Sequence, residues 1–425
     1  MKLVIIGGGF GGLRLARSLS NKAGFDITLI DRFNYHQFQP LFYQVATAGL
    51  DASNISFPLR KVFHNSKNVH FRMAEVTAIH HNQNKVATDI GDFEYDQLVI
   101  ATGADTNFFG NEQMAANAMP MKSTVEAIQL RHRMLKNFED ATATTDPEEL
   151  QRLMNIVVVG GGPTGVELSG AIADMRRFVL PKDYPDLDFS KMNIILLEGS
   201  TKTLAAMSEK SSQQSQQYLE KLGVKVTTNA ILTSYDGKVA TLKDGTTIPT
   251  ALVIWAAGIK GNIIPGLNET IIAKGNRLKV NEYCKVQGFE NIYAIGDVAY
   301  MEADAAYPNG HPQVAPVAIQ QADMLVNNLK WLQMKSNNDR MIAFEYNDKG
   351  AMATVGRKLA VVDVPKPKIH FGGLLAWLVW MFLHLMLILG VKNRLSVFFN
   401  WFYNYFTKDQ NLRLIFKVNY KERNK

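Results

Sequence analysis

Apolar residues in this 425-residue chain come in three forms. There are short β-branched runs that stop at glycine, helical repeats behind those glycines, and, near the far end, one long stretch without a charge. Leu3-Val4-Ile5-Ile6 is the first short run; it meets glycine at once, which marks a first strand and not the core of a signal peptide. Leu13, Ala16 and Leu19 follow at helical spacing, and DITLIDR supplies the next strand, ending at Asp31. The alternation returns at NIVVVGGGPTGVELSGAIADM and NIILLEGS, the latter ending at Glu198. NIYAIGDVA (291–299) is a further buried strand, closing on Gly-Asp, and shorter cousins at Gly103 (LVIATGA) and Gly258 (VIWAAGI) mark crossings of the chain. Strand, helix and strand in this order predict an α/β fold with two Rossmann-like dinucleotide-binding domains.

The glycines carry the chemistry. Gly7, Gly9 and Gly12 follow the first strand, and Gly160, Gly162 and Gly165 follow its counterpart. In each set the spacing suits a tight turn, a close approach of backbone to pyrophosphate, and close packing of helix on strand. The diphosphate then sits at the positive end of the helix. Asp31 is placed to receive a ribose hydroxyl pair. Glu198 comes later than usual because RRFVLPKDYPDLDFSKM is inserted ahead of its strand; its charge would repel a 2′-phosphate, so NAD is expected over NADP. Two cradles predict two dinucleotides, a flavin and a nicotinamide. Asp297, in the Gly-Asp strand end, can accept from a ribityl hydroxyl while capping the helix that follows.

Composition narrows the rest. The 47% hydrophobic and 20% charged residues are those of a folded protein, and a single cysteine, Cys284, excludes an internal disulfide and any dithiol pair. From Lys366 onward ten Lys+Arg face two Asp+Glu, a surplus of eight, which leaves the preceding 365 residues near −1 out of the total of +7. That basicity is interleaved with Trp, Phe and Leu, which points to anionic lipid and away from nucleic acid.

With these motifs in place the chain resembles the two-dinucleotide-binding-domain flavoproteins and, more closely, the type II NADH:quinone oxidoreductases. The resemblance rests on GGGFGG, NYHQFQPLFYQVATAGL (34–50), ATGA, GGGPTGVELSG, WAAGI, AIGDVA, DKGAMATVGR (348–357) and the AWLVW…GVKNRLSVFFNW tail. It implies FAD in the first cradle, on Gly7, Gly9, Gly11, Gly12 and Asp31, with Val76 beside the adenine, Asp297 on the polyol, and Gly103 and Ala315 completing the set. It implies NADH in the second, on Gly160, Gly162, Gly165, Glu198 and Gly258. Glu167 matches the family's acidic residue near the meeting of the two rings, implicated there in nicotinamide placement or proton delivery; the plainer reading is an exposed first-turn glutamate favoured by the helix dipole. Relatives carry Ala-Gln-x-Ala-x-Gln beside the quinone, whereas this chain has Ala315-Pro316-Val317-Ala318-Ile319-Gln320, which leaves Gln320 and Gln321 as quinone-site candidates.

The uncharged stretch FGGLLAWLVWMFLHLMLILGV (371–391) would reach about 31 Å as one helix, enough to cross a bilayer. Basic residues flank it on both sides, against the positive-inside tendency, with Lys408, Arg413 and Lys417 following. Behind it, Lys392, Ser396, Asn400, Asn404 and Lys408 form a narrow polar stripe on an otherwise aromatic helix. The expectation is a monotopic anchor, of one helix or two, on the cytoplasmic face of the cell membrane; a true span, and a homodimer built on the same apolar face, stay open. The expected domains are 1–117 and 275–365 for a split FAD domain, 118–274 for an inserted NADH domain, and 366–425 for the anchor. The activity implied is hydride transfer from NADH to FAD, then two electrons to a membrane quinone, without a metal or proton pumping. Alternatives are an NADH-dependent flavoprotein reductase with a protein acceptor and a non-enzymatic flavin-bound scaffold. The cysteine count excludes a disulfide reductase and a sulfide:quinone oxidoreductase.

Overall fold

A computed structural model describes residues 1–334 and 341–416, so Lys417 lies outside the described residues. The chain divides into two compact units. One comprises Met1–Gln37, Ser56–Asp105 and Ile259–Lys349; the other comprises Phe38–Ile55, Thr106–Gly258 and Gly350–Lys425. These bounds differ from those expected by sequence. The 38–55, 106–117 and 350–365 segments group with the second unit, as does the 366–425 tail, and 259–274 with the first; Tyr43 and Thr354, hydrogen-bonded at 2.9 Å, tie 38–55 to 350–365.

The first unit is built on a five-stranded parallel sheet. Its order is Ile292–Ala294, Gln97–Ile100, Lys2–Ile6, Asp26–Asp31, Val69–Met73. Leu3 and Ile5 point one way and Val4 and Ile6 the other, yet all are buried, as a parallel sheet covered on both faces requires. Helices Phe10–Leu19 and Ala315–Gln333 pack against one another in this unit. Pro316 stands in the first turn of the second of these, where its missing N–H breaks no helical bond.

The second unit repeats the plan, with a five-stranded parallel sheet ordered Met119–Pro120, Leu252–Trp255, Ile156–Val159, Ile194–Leu197, Val224–Thr227. Helix Pro163–Phe178 follows the central strand. In both sheets the strand before the glycine turn has the next strand of that sheet on one side and a much later one on the other, so the connections leave it in opposite directions. That is the switch point at which a dinucleotide binds off the carboxyl ends of the strands.

Attached to this unit is an antiparallel sheet of Ala351–Val355, Leu359–Val364 and Ile369–Gly373, then helices Leu374–Leu387 and Val391–Thr407. The long apolar stretch is therefore not one helix. Phe371 to Gly373 belong to a strand, Gly373 and Gly390 take φ of +82° and +81°, and the helix between them has 14 residues. At 1.5 Å per residue this is roughly 21 Å, short of the ~30 Å hydrocarbon core. No helix among the described residues is long and apolar enough to cross a membrane.

Candidate active site

Each glycine turn assigns its three glycines the same tasks. Gly7 and Gly160 have φ of +105° and +108°, and a Cβ on either would lie 2.3 Å from Ala101 O or 2.5 Å from Ala256 O, so the neighbouring strand passes too close for a side chain. A Cβ on Gly12 would meet Gly7 O at 1.9 Å, and one on Gly165 would meet Gly160 O at 1.8 Å; these glycines let the helix close onto its own turn. Gly9 and Gly162 differ, with no atom within 4 Å of a built Cβ. They are also the N-caps of their helices and offer no side chain to the helix N–H groups. An open cradle at an uncapped helix start, in helices of 10 and 16 residues, fits a diphosphate.

The two acids also correspond. Asp31 accepts from Gly8 N at 2.6 Å and Phe33 N at 2.7 Å; Glu198 accepts from Gly161 N at 2.6 Å and Ser200 N at 2.7 Å. Each carboxylate thus braces the middle of its glycine turn from the end of the next strand. Burial pushes the Asp31 carboxyl upward, opposed by the two N–H donors. His36 supports the same turn by donating from Nδ1 to Gly8 O at 3.0 Å.

Around the first cradle, Gly11 packs toward Ile295 Cδ1 and Ala318 O, which brings the Gly296-Asp297 turn beside the start of the helix. Gln321 is buried and its Oε1 accepts from Gly296 N at 2.7 Å, so its side chain holds that turn. Gln320 is bonded at both ends of its amide to the backbone of Asn347, at 3.0 Å each. The proposed quinone contacts of these two glutamines therefore compete with bonds made inside the protein. Ala315 opens its helix, and Val76 opens strand Val76–His80 just beyond Ala74, whose N–H bonds Asp31 O. Gly103 has φ of +68° and open space about it, while Gly258 is closed by Phe109, whose Cζ would lie 2.7 Å from a Cβ.

Glu167 is not the exposed glutamate that the helix dipole alone would explain. It is 8% exposed, and its Oε1 accepts from Thr354 N at 3.2 Å and Thr354 Oγ1 at 3.4 Å. Burial pushes its carboxyl up to about 8, against these bonds, so it carries a proton at neutral pH. Thr354 Oγ1 lies 2.9 Å from Tyr43 Oη; Gln44 Nε2 donates to Tyr43 Oη at 2.9 Å; and Trp401 Nε1 donates to Gln44 Oε1 at 2.6 Å. One hydrogen-bonded chain so runs from the tail helix to a buried carboxyl. Burial keeps the Tyr43 phenol protonated.

Beside this chain is a cavity of about 90 Å³, walled by Tyr43, Ala171, Asp174, Phe178, Trp377, Trp380 and Trp401. Glu167, Ala171, Asp174 and Phe178 recur three or four residues apart, a single stripe of their helix. His384, the lone polar residue of the apolar run, is stacked on Trp380 with ring centres 4.1 Å apart and donates from Nδ1 to Trp380 O at 2.8 Å. Burial lowers it to about 4, so it is neutral and structural.

Residues 1–322 match the family described as pyridine nucleotide-disulphide oxidoreductase, and 349–408 match the NDH2 C-terminal domain. The type II NADH:quinone oxidoreductase NdhA of Mycobacterium tuberculosis is 37% identical over 415 residues, covering 94% of this chain and 86% of that protein. The type II NADH:quinone oxidoreductase Ndh of the same organism is 35% identical over 412 residues, covering 94% and 87%. The chain belongs to the type II NADH:quinone oxidoreductase family. In three dimensions it is similar to an NDH2 of Plasmodium falciparum solved in complex with NADH, with a TM-score of 0.88, 22% identity, and 98% and 99% of the two chains covered; at that identity the likeness speaks for the fold.

For this family member, sequence reasoning missed Tyr43, Gln44, Asp174, Thr354 and Trp401. Tyr43 and Gln44 lie inside the quoted 34–50 motif and Thr354 inside 348–357, so the motifs marked the segments without revealing the contacts.

Proposed function

We propose that this protein oxidises NADH and reduces a membrane quinone through FAD. The observation that carries the reading is the buried Glu167 carboxyl joined by Thr354, Tyr43 and Gln44 to Trp401 on the tail. It supports a route on which an acceptor reaching the tail meets a proton donor shielded from water. In this reading the turn with Gly7, Gly9 and Gly12 holds the FAD diphosphate and Asp31 its ribose. The turn with Gly160, Gly162 and Gly165 holds NADH, and Glu198 disfavours a 2′-phosphate. FAD, when bound, supplies the hydride acceptor and releases the electrons onward.

The chain's own residues do three things. The glycine turns fix the two diphosphates against helix N-termini. Glu167 holds a proton out of water, and the Thr354 and Tyr43 hydroxyls offer it a path. The tail tryptophans form an apolar, aromatic wall. At about 90 Å³ the cavity holds a few waters and is smaller than the roughly 300 Å³ or more of a ligand pocket, so a quinone ring would enter by displacing tail side chains.

The membrane reading follows from which side chains face out. Leu375, Phe382, Leu387, Phe399, Phe402 and Phe406 are exposed on the two tail helices, while Ala376, Trp380, Val397 and Trp401 are buried. Asn404, from the expected polar stripe, donates to Gly49 O. The second helix thus turns part of its polar side inward and its phenylalanines outward, which suits a monotopic anchor at headgroup depth. Lys392 and Lys408 are placed to meet anionic lipid on the cytoplasmic side; a homodimer on this face is the competing occupant. The reading is tested by mixing the flavin-loaded protein with NADH under anaerobic conditions and then with quinone. Bleaching followed by quinone-dependent recovery is expected; a colourless protein, or flavin that NADH leaves oxidised, overturns it.

A further inference from the structure

Reduction of a quinone by NADH is balanced by one proton from water: NADH, one proton and quinone give NAD⁺ and quinol. The hydride brings two electrons and one hydrogen nucleus, so the second quinol O–H needs a proton from solvent. Glu167 is too deeply buried to collect it directly. We propose that Asp174 is the relay that takes this proton from water at the cavity mouth and passes it to the Glu167–Thr354–Tyr43 chain or to the acceptor in the cavity. The inference rests on the quinone-reductase reading above.

Asp174 lies two helical turns beyond Glu167 on the same stripe, about 10 Å along the axis, and lines the cavity together with Tyr43. The cavity, lined by both Asp174 and Tyr43 and roomy enough for a few waters, lies beside that interval. It is half-buried, whereas Lys408 at the mouth is exposed, so a carboxyl stands between water and the buried chain. In the relay step the carboxyl O–H breaks as its proton moves inward, and a new O–H forms from solvent.

Asp174 is faced by Arg177 on its own helix, by Arg357 and Lys358 from the turn after strand Ala351–Val355, and by Lys408 and Asp409 from the segment after the second tail helix. Burial raises its carboxyl to about 6; the Arg357 backbone N–H and the neighbouring cations oppose the rise. A group near 6 loads from water below neutrality and unloads above it, as a relay to a more basic neighbour requires. The Arg357 and Lys408 charges are themselves held over the Phe178 ring, at 5.3 and 5.1 Å from its centre, which fixes the mouth.

The test is pre-steady-state. In the flavin-loaded protein, Asp174→Asn should leave bleaching by NADH unchanged and slow quinone-dependent reoxidation by ~10²-fold, the low end for a positioned acid–base group. Asp174→Glu should restore most of the rate with a shifted pH profile, and formate should partly rescue the Asn variant. Asparagine still accepts from Arg357 N, so a merely structural Asp174 would leave Asn like the wild type while Ala is impaired, and that pattern overturns the relay. A wild type that NADH bleaches but quinone does not reoxidise overturns the reading and the relay together; a wild type that reoxidises normally beside an unchanged Asn variant overturns the relay alone.

Discussion

The indole N–H of Trp401 donates to Gln44 Oε1 at 2.6 Å, joining the second tail helix to the residue next to Tyr43. The tail is thereby part of the site's wall as well as the candidate anchor. Trp401→Phe keeps the ring and removes the donor; it should cost about 1 kcal/mol in denaturant unfolding and raise the quinone KM. Trp401→Ala empties a buried site and should cost about 3–5 kcal/mol. Equal midpoints for wild type and both variants would refute the coupling.

Glu167 gives a stability signature as well as a kinetic one. Its carboxyl rises from 4.5 to about 8 on folding, so between those values the folded chain holds a proton that the unfolded chain has lost. Stability contributed by this group is intact below pH 4.5 and declines as pH rises toward 8, by up to about 1.4 kcal/mol per pH unit. Glu167→Gln should remove that decline, narrowing the gap between midpoints at pH 5 and pH 8, and should slow quinone reduction.

The glycines of the second turn separate binding from folding. Gly162→Ala has open space for its methyl and should keep the wild-type Tm, yet weaken NADH because the methyl occupies the cradle. Gly165→Ala would push a methyl into Gly160 O and should lower Tm. Thermal melts with NADH titration check both.

The exposed phenylalanines offer a cleaner probe of membrane docking than deletion. Removing everything from Phe371 would take away part of a strand and the buried Trp380 and Trp401. Replacing Phe399, Phe402 and Phe406 together by Ser should reduce sedimentation with anionic vesicles by about 10²-fold or more, at roughly 1.5–3 kcal/mol per buried ring. Reduction of a soluble acceptor should persist. Undiminished vesicle binding would assign the face to another partner.

Glycine turns and their acids were legible because each is local: strand, turn, helix and the next strand are consecutive, and Asp31 and Glu198 fall where that geometry puts them. Glu167 was locatable by its spacing from Gly165, but its burial was not, since Thr354 lies 187 residues away. Tyr43 and Thr354 are 311 residues apart and share no pattern. The tail was legible as an apolar anchor of up to two helices, and Gly372-Gly373 and Gly390 mark where the long apolar run breaks.

By itself, the sequence determined the two parallel sheets, the paired cradles and the apolar tail, because backbone sterics at glycine and the period of burial act over a few residues. Only the tertiary structure decided that a glutamate on the second cradle's helix is buried and protonated, and that the tail's tryptophans turn inward while its phenylalanines face out. Desolvation and side-chain hydrogen bonds depend on which distant segments fill the space around a group, and no local pattern carries that information.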